Sequence, residues 1–294
     1  MNEGREWPSM GGAGSGPRIR PDEARLLREI IESYCGLHVG LDSPFFLERR
    51  VRPRMEALGM SSFGDYYHFL KYDPGGAAEL VELVERLTTH ETYFFRESYQ
   101  LEAFREDVLP QLVEQARKRK RLLLWSAGCS TGEEVYTLAI LLRETLALRD
   151  FRARVVGSDI SRRVVARARQ AYFGSSSFRA TDPVVRRRYF QEVDGRFRLR
   201  DDVRSMCSFG QLNLLDTERY RILGACDAIF CRNVLMYLSK TARSRIIDGF
   251  YDTLQPGGYL FLGHSESLLH VSTRFEIVQL DKDLVYRKPS REAP

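Results

Sequence analysis

The chain has 294 residues, of which 43% are hydrophobic and 29% are charged, and its formal net charge is +5. This length allows two domains, and the composition is typical of globular proteins. No segment reaches the roughly 20 apolar residues that a transmembrane helix needs, and the first residues lack the apolar centre of a signal peptide. The five cysteines show no metal-ligand spacing, which indicates reduced thiols, and we expect a cytoplasmic protein without a metal site.

The N-terminal part of the chain predicts helices only. Residues 1–19 are expected to form a disordered lead-in, and apolar residues recur at helical spacing from about 20 to 87. We assign a small all-helical domain to residues 20–78. A linker helix and a cofactor-contacting segment follow over residues 79–96.

One helix of this domain carries two arginines on a face of their own. Ser43 is a good N-cap for it, and Gly59 is a good C-terminal stop. Arg50 and Arg54 are i, i+4 neighbours away from its apolar face. They are either ordinary surface charge or a docking surface for an acidic partner, and spacing alone favours surface charge.

Residues 97–290 predict an α/β domain, because strand and helix patterns alternate. The strands are expected at 122–125, 154–159, 227–231 and 259–263, and the helices at 133–148, 161–172 and 239–254. Asp194-Gly195 separates two short alternating runs, which predicts a small antiparallel β insertion at about 190–210. A strand pair at 275–279 and 284–287 completes the domain.

The most informative segment is residues 122–134, where an apolar strand leads into a glycine-containing turn and a helix. Gly128 and Gly132 allow the backbone to turn tightly beside a ligand, as in nucleotide-type cofactor sites. Such turns also occur in α/β proteins that bind nothing there. Cys129 lies within the turn and is interpreted as a packing residue and not as a nucleophile.

Polar residues follow other predicted strands, at the edge of the sheet where ligands bind in α/β folds. Asp159 ends the second strand and is either an acceptor for ribose hydroxyls or a helix N-terminal acid before Ser161. The strand, acid and capped helix in direct succession favour the ligand interpretation. Asn213 follows a further short apolar run.

Six segments resemble, in order, those of the chemotaxis receptor methyltransferase (CheR) family. They are residues 88–96 (TTHETYFFR), 126–136 (SAGCSTGEEVY), 158–160 (SDI), 213–215 (NLL), 230–237 (FCRNVLMY) and 263–266 (GHSE). The resemblance covers about residues 20–288. It implies a Rossmann-like S-adenosylmethionine-dependent methyltransferase domain with a small all-helical N-terminal domain and a small antiparallel β insertion.

The resemblance also implies an activity and a set of site residues. The family transfers the methyl group of S-adenosylmethionine to glutamate side chains of chemoreceptors, which gives methyl esters and S-adenosylhomocysteine. Arg96 and Tyr237 match the catalytic positions beside the methyl group. Arg50 and Arg54 match basic positions that are thought to recognise the acidic receptor. The implied cofactor contacts are His90, where the family usually has asparagine, Thr92, Arg96, Glu134, Asp159, Asn213, Leu214, Arg232 and Asn233.

The expected chemistry needs no strong base, because a glutamate side chain with a pKa of about 4.3 is already an anion at neutral pH. Two rival functions remain: a methyltransferase that acts on nucleic acid or another protein, and a binding module without turnover. The chain lacks an Asn-Pro-Pro-Tyr motif and an aromatic platform among its basic runs, so we expect no nucleic-acid partner. The expected partner is the cytoplasmic domain of chemoreceptors, with no membrane insertion and no need for more than a monomer.

Overall fold

The computed structural model describes residues 17–40 and 44–290. Four helices form an N-terminal domain: α1 (Pro21–Cys35), α2 (Pro44–Ala57), α3 (Phe63–Tyr72) and α4 (Gly76–Leu87). They share one apolar core that includes Leu27, Ile31, Val51, Tyr66 and Leu83. Helices this short are marginal alone in water, so this shared core is what stabilises them.

The helical domain ends later than the sequence predicted. Helix α4 packs against α2 and α3 and buries Leu80, Val84 and Leu87 in the common core. The expected boundary after residue 78 therefore falls inside the domain, because the predicted linker helix is its fourth helix. Gly59 follows α2 with a φ of 68°, as expected of a helix stop. The predicted N-cap Ser43 and residues 1–16 of the predicted lead-in lie outside the described residues.

A helix with a π turn joins this domain to the next. Helices α5 (Ser98–Ala103) and α6 (Leu109–Gln115) are connected by that turn at Phe104–Val108. The elements that follow are β1 (Arg121–Ala127), α7 (Glu133–Glu144), β2 (Arg152–Asp159), α8 (Arg162–Gln170), β3 (Tyr172–Phe173), α9 (Pro183–Tyr189), β4 (Phe190–Val193), β5 (Arg196–Leu199), α10 (Asp201–Arg204), β6 (Cys207–Gln211), β7 (Cys226–Cys231), α11 (Lys240–Thr253), β8 (Leu254–Leu262), β9 (Glu276–Gln279) and β10 (Leu284–Arg287). Short 3-10 turns lie at Leu146–Leu148, Ser175–Phe178, Thr217–Ile222 and Leu235–Tyr237.

Seven strands form the main sheet in the order β6-β2-β1-β7-β8-β10-β9. All neighbours are parallel except β10, which is antiparallel to both β8 and β9. Strand β1 lies inside the sheet between β2 and β7, and its consecutive residues Leu124 and Trp125 enter cores on opposite faces of the sheet. The predicted α/β fold with a parallel sheet is therefore confirmed, and the strand order reverses beside β1, where α/β sheets open a crevice for ligands.

The antiparallel insertion begins earlier than the sequence predicted. Strands β4 and β5 form the expected hairpin, and Asp194 and Gly195 both have positive φ, as a tight two-residue turn requires. The third strand is β3, so the small sheet covers residues 172–199. Strand β6 instead pairs with β2 at the edge of the main sheet. The sequence predicted no strand here, because most residues of β6 are only half-buried and its distant pairing leaves no local signal.

An aromatic cluster anchors the segment between the two domains. Phe94 stacks on Phe178 with ring centroids 5.1 Å apart and meets Phe190 edge-on at 4.9 Å. Its backbone N–H also donates to the carbonyl of Ser177 at 2.9 Å. Because Phe94 is fully buried, the neighbouring residues Tyr93 and Arg96 are held at a fixed place on the surface of the sheet domain.

The helical domain is tied to the sheet domain by a buried carboxylate. Glu85 of α4 accepts hydrogen bonds from Ser161 Oγ at 2.6 Å, from the backbone N–H of Arg162 at 2.5 Å and from Arg163 Nε at 2.9 Å. It thus satisfies donors at the N-terminus of α8, which otherwise have no partner within the helix. Leu37 and Leu238 form a β-bridge between the domains as well.

Candidate active site

One cavity lies beyond the carboxyl ends of β1, β2 and β7. It brings together every implied cofactor and catalytic residue: His90, Thr92, Arg96, Glu134, Asp159, Asn213, Leu214, Arg232, Asn233 and Tyr237. The helical domain contributes Cys35 and Leu37 to the wall. The cavity is therefore closed by both domains, although its floor is the edge of the parallel sheet.

The glycine turn after β1 packs closely against the loop after β7. Gly128 has a φ of 84°, and a Cβ atom there would lie 2.5 Å from Val234 Cγ2. The backbone N–H groups of Gly128 and Cys129 donate to the carbonyl of Ser158 at 2.8 and 2.9 Å. Cys129 is buried, and burial raises the pKa of its thiol well above the ordinary value, which suits packing and not nucleophilic attack.

Asp159 is a buried carboxylate at the end of β2. Its Oδ2 accepts from the backbone N–H of Ser130 at 2.9 Å, and its Oδ1 accepts from that of Ser161 at 3.0 Å. Burial raises the pKa of Asp159 and lowers that of His90, whose Nε2 lies 2.9 Å from Thr88 Oγ1. Since a carboxylate oxygen has two lone pairs, Asp159 keeps acceptor capacity toward the cavity. Asp159 accepts a hydrogen bond just before the N-terminus of α8, and it also lines the cavity. A helix N-terminal acid and a ligand acceptor are therefore compatible interpretations of this residue.

Arg232 joins three parts of the cavity wall. Its Nη1 donates to Glu134 Oε2 at 3.1 Å, and its Nη2 donates to the carbonyl of Arg96 at 2.6 Å and to Glu97 Oε2 at 3.0 Å. Its side chain is only 2% exposed. Glu134 also accepts from Ser126 Oγ at 2.7 Å, and its pKa is raised by burial, against the effect of Arg232.

The loop after β7 presents an amide and a phenol. Asn233 has a φ of 58°, in the left-handed region that asparagine enters more readily than most residues. Its Nδ2 lies 3.4 Å from Glu97 Oε1. Tyr237 lies at the mouth of the cavity with 42% of its surface exposed.

Arg96 stands on a strained stretch of backbone. Phe95 and Glu97 on either side have φ values of 59° and 56°. Its Nη1 donates to the carbonyl of Glu91 at 3.0 Å, and its guanidinium lies 5.7 Å from the ring centre of Tyr93. This contact uses one nitrogen of a five-donor group, so Arg96 can still bind a carboxylate at the cavity mouth.

Asn213 uses its side chain between the two domains. Its Nδ2 donates to the carbonyl of Tyr34 at 2.6 Å, and its Oδ1 accepts from the backbone N–H of Leu215 at 3.0 Å. Leu214 also lines the cavity, and its carbonyl accepts from Tyr220 Oη at 2.5 Å. Asn213 thus fixes this wall of the cavity through bonds that have nothing to do with a ligand.

The two arginines of α2 differ in their surroundings. Arg54 is half-buried and forms a two-pronged ion pair with Glu79 of α4, at 2.8 and 2.5 Å. Arg50 is exposed, and its guanidinium lies 5.4 Å from the ring centre of Phe46. The ion pair of Arg54 was not predicted, because its acidic partner lies on another helix and helical spacing cannot reveal it.

Several residues in or beside the cavity wall escaped the sequence reasoning, among them Cys35, Leu37 and Glu97. Cys35 and Leu37 line the cavity from the end of α1, and no motif marks them. Glu97 binds Arg232 and follows directly after the segment 88–96, so its position next to that segment was the only available signal.

The polar groups of the cavity fit S-adenosylmethionine. The donors of that molecule, an ammonium group and two ribose hydroxyls, would meet the acceptors Glu134 and Asp159. Of the buried polar atoms that have no hydrogen-bond partner among the described residues, two belong to residues that line the cavity: Arg232 Nε and Asn233 Oδ1. Since buried polar atoms are nearly always paired in native proteins, they are ready to be completed by a ligand. No group of three or more potential metal ligands occurs among residues 17–40 and 44–290.

The fold and the cavity define an S-adenosylmethionine-dependent methyltransferase with a helical N-terminal domain. Two family models match the chain: the all-alpha domain of CheR methyltransferases at residues 22–88 and the S-adenosylmethionine-binding domain of CheR methyltransferases at residues 90–284. The chain therefore belongs to the CheR methyltransferase family, as the sequence resemblance indicated.

Curated relatives agree along most of the chain. Chemotaxis protein methyltransferase 2 of Vibrio cholerae is 36% identical over 90% of this chain and 92% of its own length. Chemotaxis protein methyltransferase 1 of Pseudomonas aeruginosa is 34% identical over 89% of this chain and 96% of its own length. A magnesium protoporphyrin IX methyltransferase from Synechocystis, solved with bound S-adenosylmethionine, is 17% identical over 82% of this chain and 97% of that one, with a TM-score of 0.37, too slight a likeness to bear on function.

Proposed function

We propose that this methyltransferase modifies glutamate side chains of chemoreceptors, giving glutamate methyl esters and S-adenosylhomocysteine. The observation that carries the proposal is that Arg96 and Tyr237 both line this cavity. The curated relatives of the chain are named chemotaxis protein methyltransferases. The relatives' names supply the chemotaxis context, and the two side chains supply the acceptor chemistry.

The charges at the mouth favour a carboxylate acceptor. Arg96 is a permanent cation there, with donors left for an approaching anion. The carboxylates that line the cavity are already engaged: Glu134 by Ser126 and Arg232, Asp159 by two backbone N–H groups, and Glu91 by Arg179. None of the three is assigned as a general base. A glutamate acceptor needs none, because it is already ionised at neutral pH.

The work of the protein is orientation and the exclusion of water. When bound, S-adenosylmethionine supplies a methyl group on positively charged sulfur, and a carboxylate oxygen bonds to that carbon while the C–S bond leaves its electron pair on sulfur. Opposite charges vanish in this step, so a dry site with aligned groups favours it. We assign Arg96 to orienting the acceptor carboxylate. We assign Tyr237, whose hydroxyl can donate or accept a hydrogen bond, to fixing the reacting groups.

The cofactor contacts are proposed from the same cavity. Glu134, Asp159 and Asn233 are assigned to the donors of S-adenosylmethionine, and His90, Thr92 and Leu214 to the surrounding wall. Arg232 fixes Glu134 and offers its Nε. Asn213 contributes by holding its loop, since both polar atoms of its side chain are already bonded.

Receptor docking is assigned to the exposed side of α2. Arg50 lies there beside the ring of Phe46, which is 37% exposed, and the ring of the preceding residue, Phe45, is 69% exposed. A cation beside apolar surface suits an acidic amphipathic helix. Arg54 supports this surface from within by its ion pair with Glu79.

Because the acceptor would be the cytoplasmic part of a receptor, we place the enzyme in the cytoplasm, acting as a monomer. Among the described residues, no helix is long and apolar enough to cross a membrane.

The test is a methylation assay with labelled S-adenosylmethionine and receptor cytoplasmic fragments. The expected product is protein-bound label that mild alkali releases as methanol, which is typical of carboxyl esters. Arg96→Ala should abolish labelling while the circular dichroism spectrum stays unchanged. Arg50→Ala should raise KM for the receptor fragment several-fold, whereas the matched change Arg25→Ala on the exposed face of α1 should not. Alkali-stable label, or label on nucleic acid, would contradict the proposal, and binding without turnover would reduce the protein to a sensor.

A further inference from the structure

The segment Gly263–Glu266 follows β8 and lies outside the set of cofactor contacts. It forms a closed turn, in which the backbone N–H of Glu266 donates to the carbonyl of Gly263 at 2.8 Å. In return the backbone N–H of Gly263 donates to Glu266 Oε2 at 2.7 Å. The side chain of Glu266 is thereby fixed at the carboxyl end of β8.

The same carboxylate reaches the loop after β7. Glu266 Oε2 accepts from the backbone N–H of Asn233 at 2.7 Å, and Oε1 accepts from that of Met236 at 3.0 Å. One charged group therefore holds three backbone donors from two neighbouring strand ends. Hydrogen bonds to an ionised acceptor are about twice as strong as those between neutral groups.

The two strand ends approach so closely that only glycine fits at position 263. A Cβ atom there would lie 2.7 Å from the backbone nitrogen of Asn233 and 2.8 Å from Glu266 Oε2. Real Cβ atoms are essentially never found at such distances from backbone atoms. In this Gly-x-x-Glu sequence, the glycine leaves room for the β7 loop and the glutamate binds its backbone.

The outer part of the β7 loop carries exposed side chains, since Met236 and Tyr237 are 47% and 42% exposed. Leu235 anchors the loop in the core, and the carbonyl of Tyr237 accepts from the backbone N–H of His38 at 2.8 Å. The loop is clamped at its start by Asn233 and just before Tyr237 by Met236, and both clamps are bonds to Glu266. A loop held this way can keep an exposed phenol at one position.

We propose that Glu266 is a positioning residue for methyl transfer, which sets the place of Tyr237 through the backbone of the β7 loop. This inference rests on the proposed role of Tyr237 at the methyl-transfer site. Glu266 does not touch the substrates; its three backbone bonds convert the end of β8 into a support for the catalytic loop.

The variant Glu266→Gln tests the inference with little change of shape. Its amide keeps one acceptor oxygen but turns an NH2 group toward a backbone donor. We expect kcat to fall by roughly 10- to 100-fold, as for misplacements of about 1 Å. The dissociation constant of S-adenosylhomocysteine should rise far less. The matched control is Glu276→Gln on β9. It loses an exposed ion pair with Arg287 of β10 and should leave kcat unchanged.

A double-mutant cycle separates positioning from general stability. In a Tyr237→Phe background, Glu266→Gln should lower kcat by less than about threefold, because coupled residues are not additive. Equal losses in both backgrounds would overturn the inference, as would a lower melting temperature with normal kcat. Glu266→Asp keeps the charge on a shorter arm and should recover part of kcat.

Hydrogen–deuterium exchange gives a readout that needs no methyl acceptor. In Glu266→Gln, amides 233 and 236 should exchange at least about tenfold faster than in the parent protein, with the other β-strand amides unchanged. Unchanged exchange there would refute the clamp, even if no receptor fragment is methylated. A parent protein that shows the exchange effect but forms no esters would instead refute the proposed function and leave the clamp intact.

Discussion

Replacing Glu85 by glutamine is predicted to loosen the junction between the two domains. The carboxylate of Glu85 lies on α4 with only 8% of the residue exposed, and it binds Ser161, Arg162 and Arg163 at the start of α8. Glutamine keeps the shape but loses the charge. Its NH2 group also faces donors, so at least one bond becomes a donor-to-donor contact.

The size of the effect follows from the bonds lost. A hydrogen bond to a charged group contributes about 1.5–3 kcal/mol, so losing one of them and weakening the rest should cost about 2–3 kcal/mol of unfolding free energy. In a chain of this size that lowers Tm by roughly 4–10 °C. Glu82→Gln is the matched control, because Glu82 is exposed on the same helix and should change stability by less than about 0.5 kcal/mol.

The assay is chemical unfolding followed by circular dichroism, with calorimetric titration of S-adenosylhomocysteine on the same samples. We expect Glu85→Gln to lower both stability and affinity, because Leu37 and Cys35 of the loosened domain line the cavity. If Glu85→Gln and Glu82→Gln have the same stability, the junction does not depend on this carboxylate and the reasoning is refuted.

The same residue predicts a dependence on pH. Burial disfavours the charged form of Glu85, but hydrogen bonds from Ser161 and Arg163 outweigh it and hold the pKa below its ordinary value. A depressed pKa adds stability that is complete above the unfolded value of about 4.3 and is lost as pH falls through the folded value. The stability gap between the parent protein and Glu85→Gln should therefore narrow from pH 7 to about pH 3.5. A constant gap would contradict this assignment.

Two further substitutions test the cavity. Gly128→Ala should lower Tm and cofactor affinity together, because the new Cβ has no room beside the β7 loop and the φ of residue 128 is positive. Gly210→Ala is the control, because a Cβ atom at residue 210 meets open space. Equal Tm values for the two variants would count against the tight turn. Asp159→Asn should weaken S-adenosylhomocysteine binding by roughly 10- to 100-fold, measured by titration, since an acceptor worth about 1–3 kcal/mol is lost. Asp150→Asn at the other end of β2 should not, and unaltered binding by Asp159→Asn would remove that residue from the site.

The sequence predicted those parts of the molecule whose signals are local. The apolar run of β1 with Gly128 and Gly132 located the sheet and its turn, and Asp194-Gly195 located the hairpin. Asp159 and Asn213 were found because they directly follow apolar runs, and parallel strands bring their carboxyl ends to one edge. The other cavity residues were indicated by the resemblance to the CheR family.

Long-range pairing accounts for what the sequence could not give. Strand β6 was not predicted, and the insertion was extended over its first residues, because its partner β2 lies about 50 residues earlier, beyond any periodic pattern. The ion pair of Arg54 was not predicted because Glu79 lies on another helix. The clamp of Glu266 was hidden for the same reason, since its backbone partners in the β7 loop lie 30 to 33 residues earlier in the chain. Such contacts depend on the packed fold and not on spacing.

The most direct test of the central claim is to locate the methyl groups on the acceptor. Receptor cytoplasmic fragments should be incubated with the enzyme and S-adenosylmethionine, digested, and analysed by mass spectrometry before and after mild alkali. We predict methylation on glutamate side chains that alkali removes, and none with the Arg96→Ala variant. Methyl groups on lysine, arginine or nucleic acid, or full labelling by Arg96→Ala, would contradict the account.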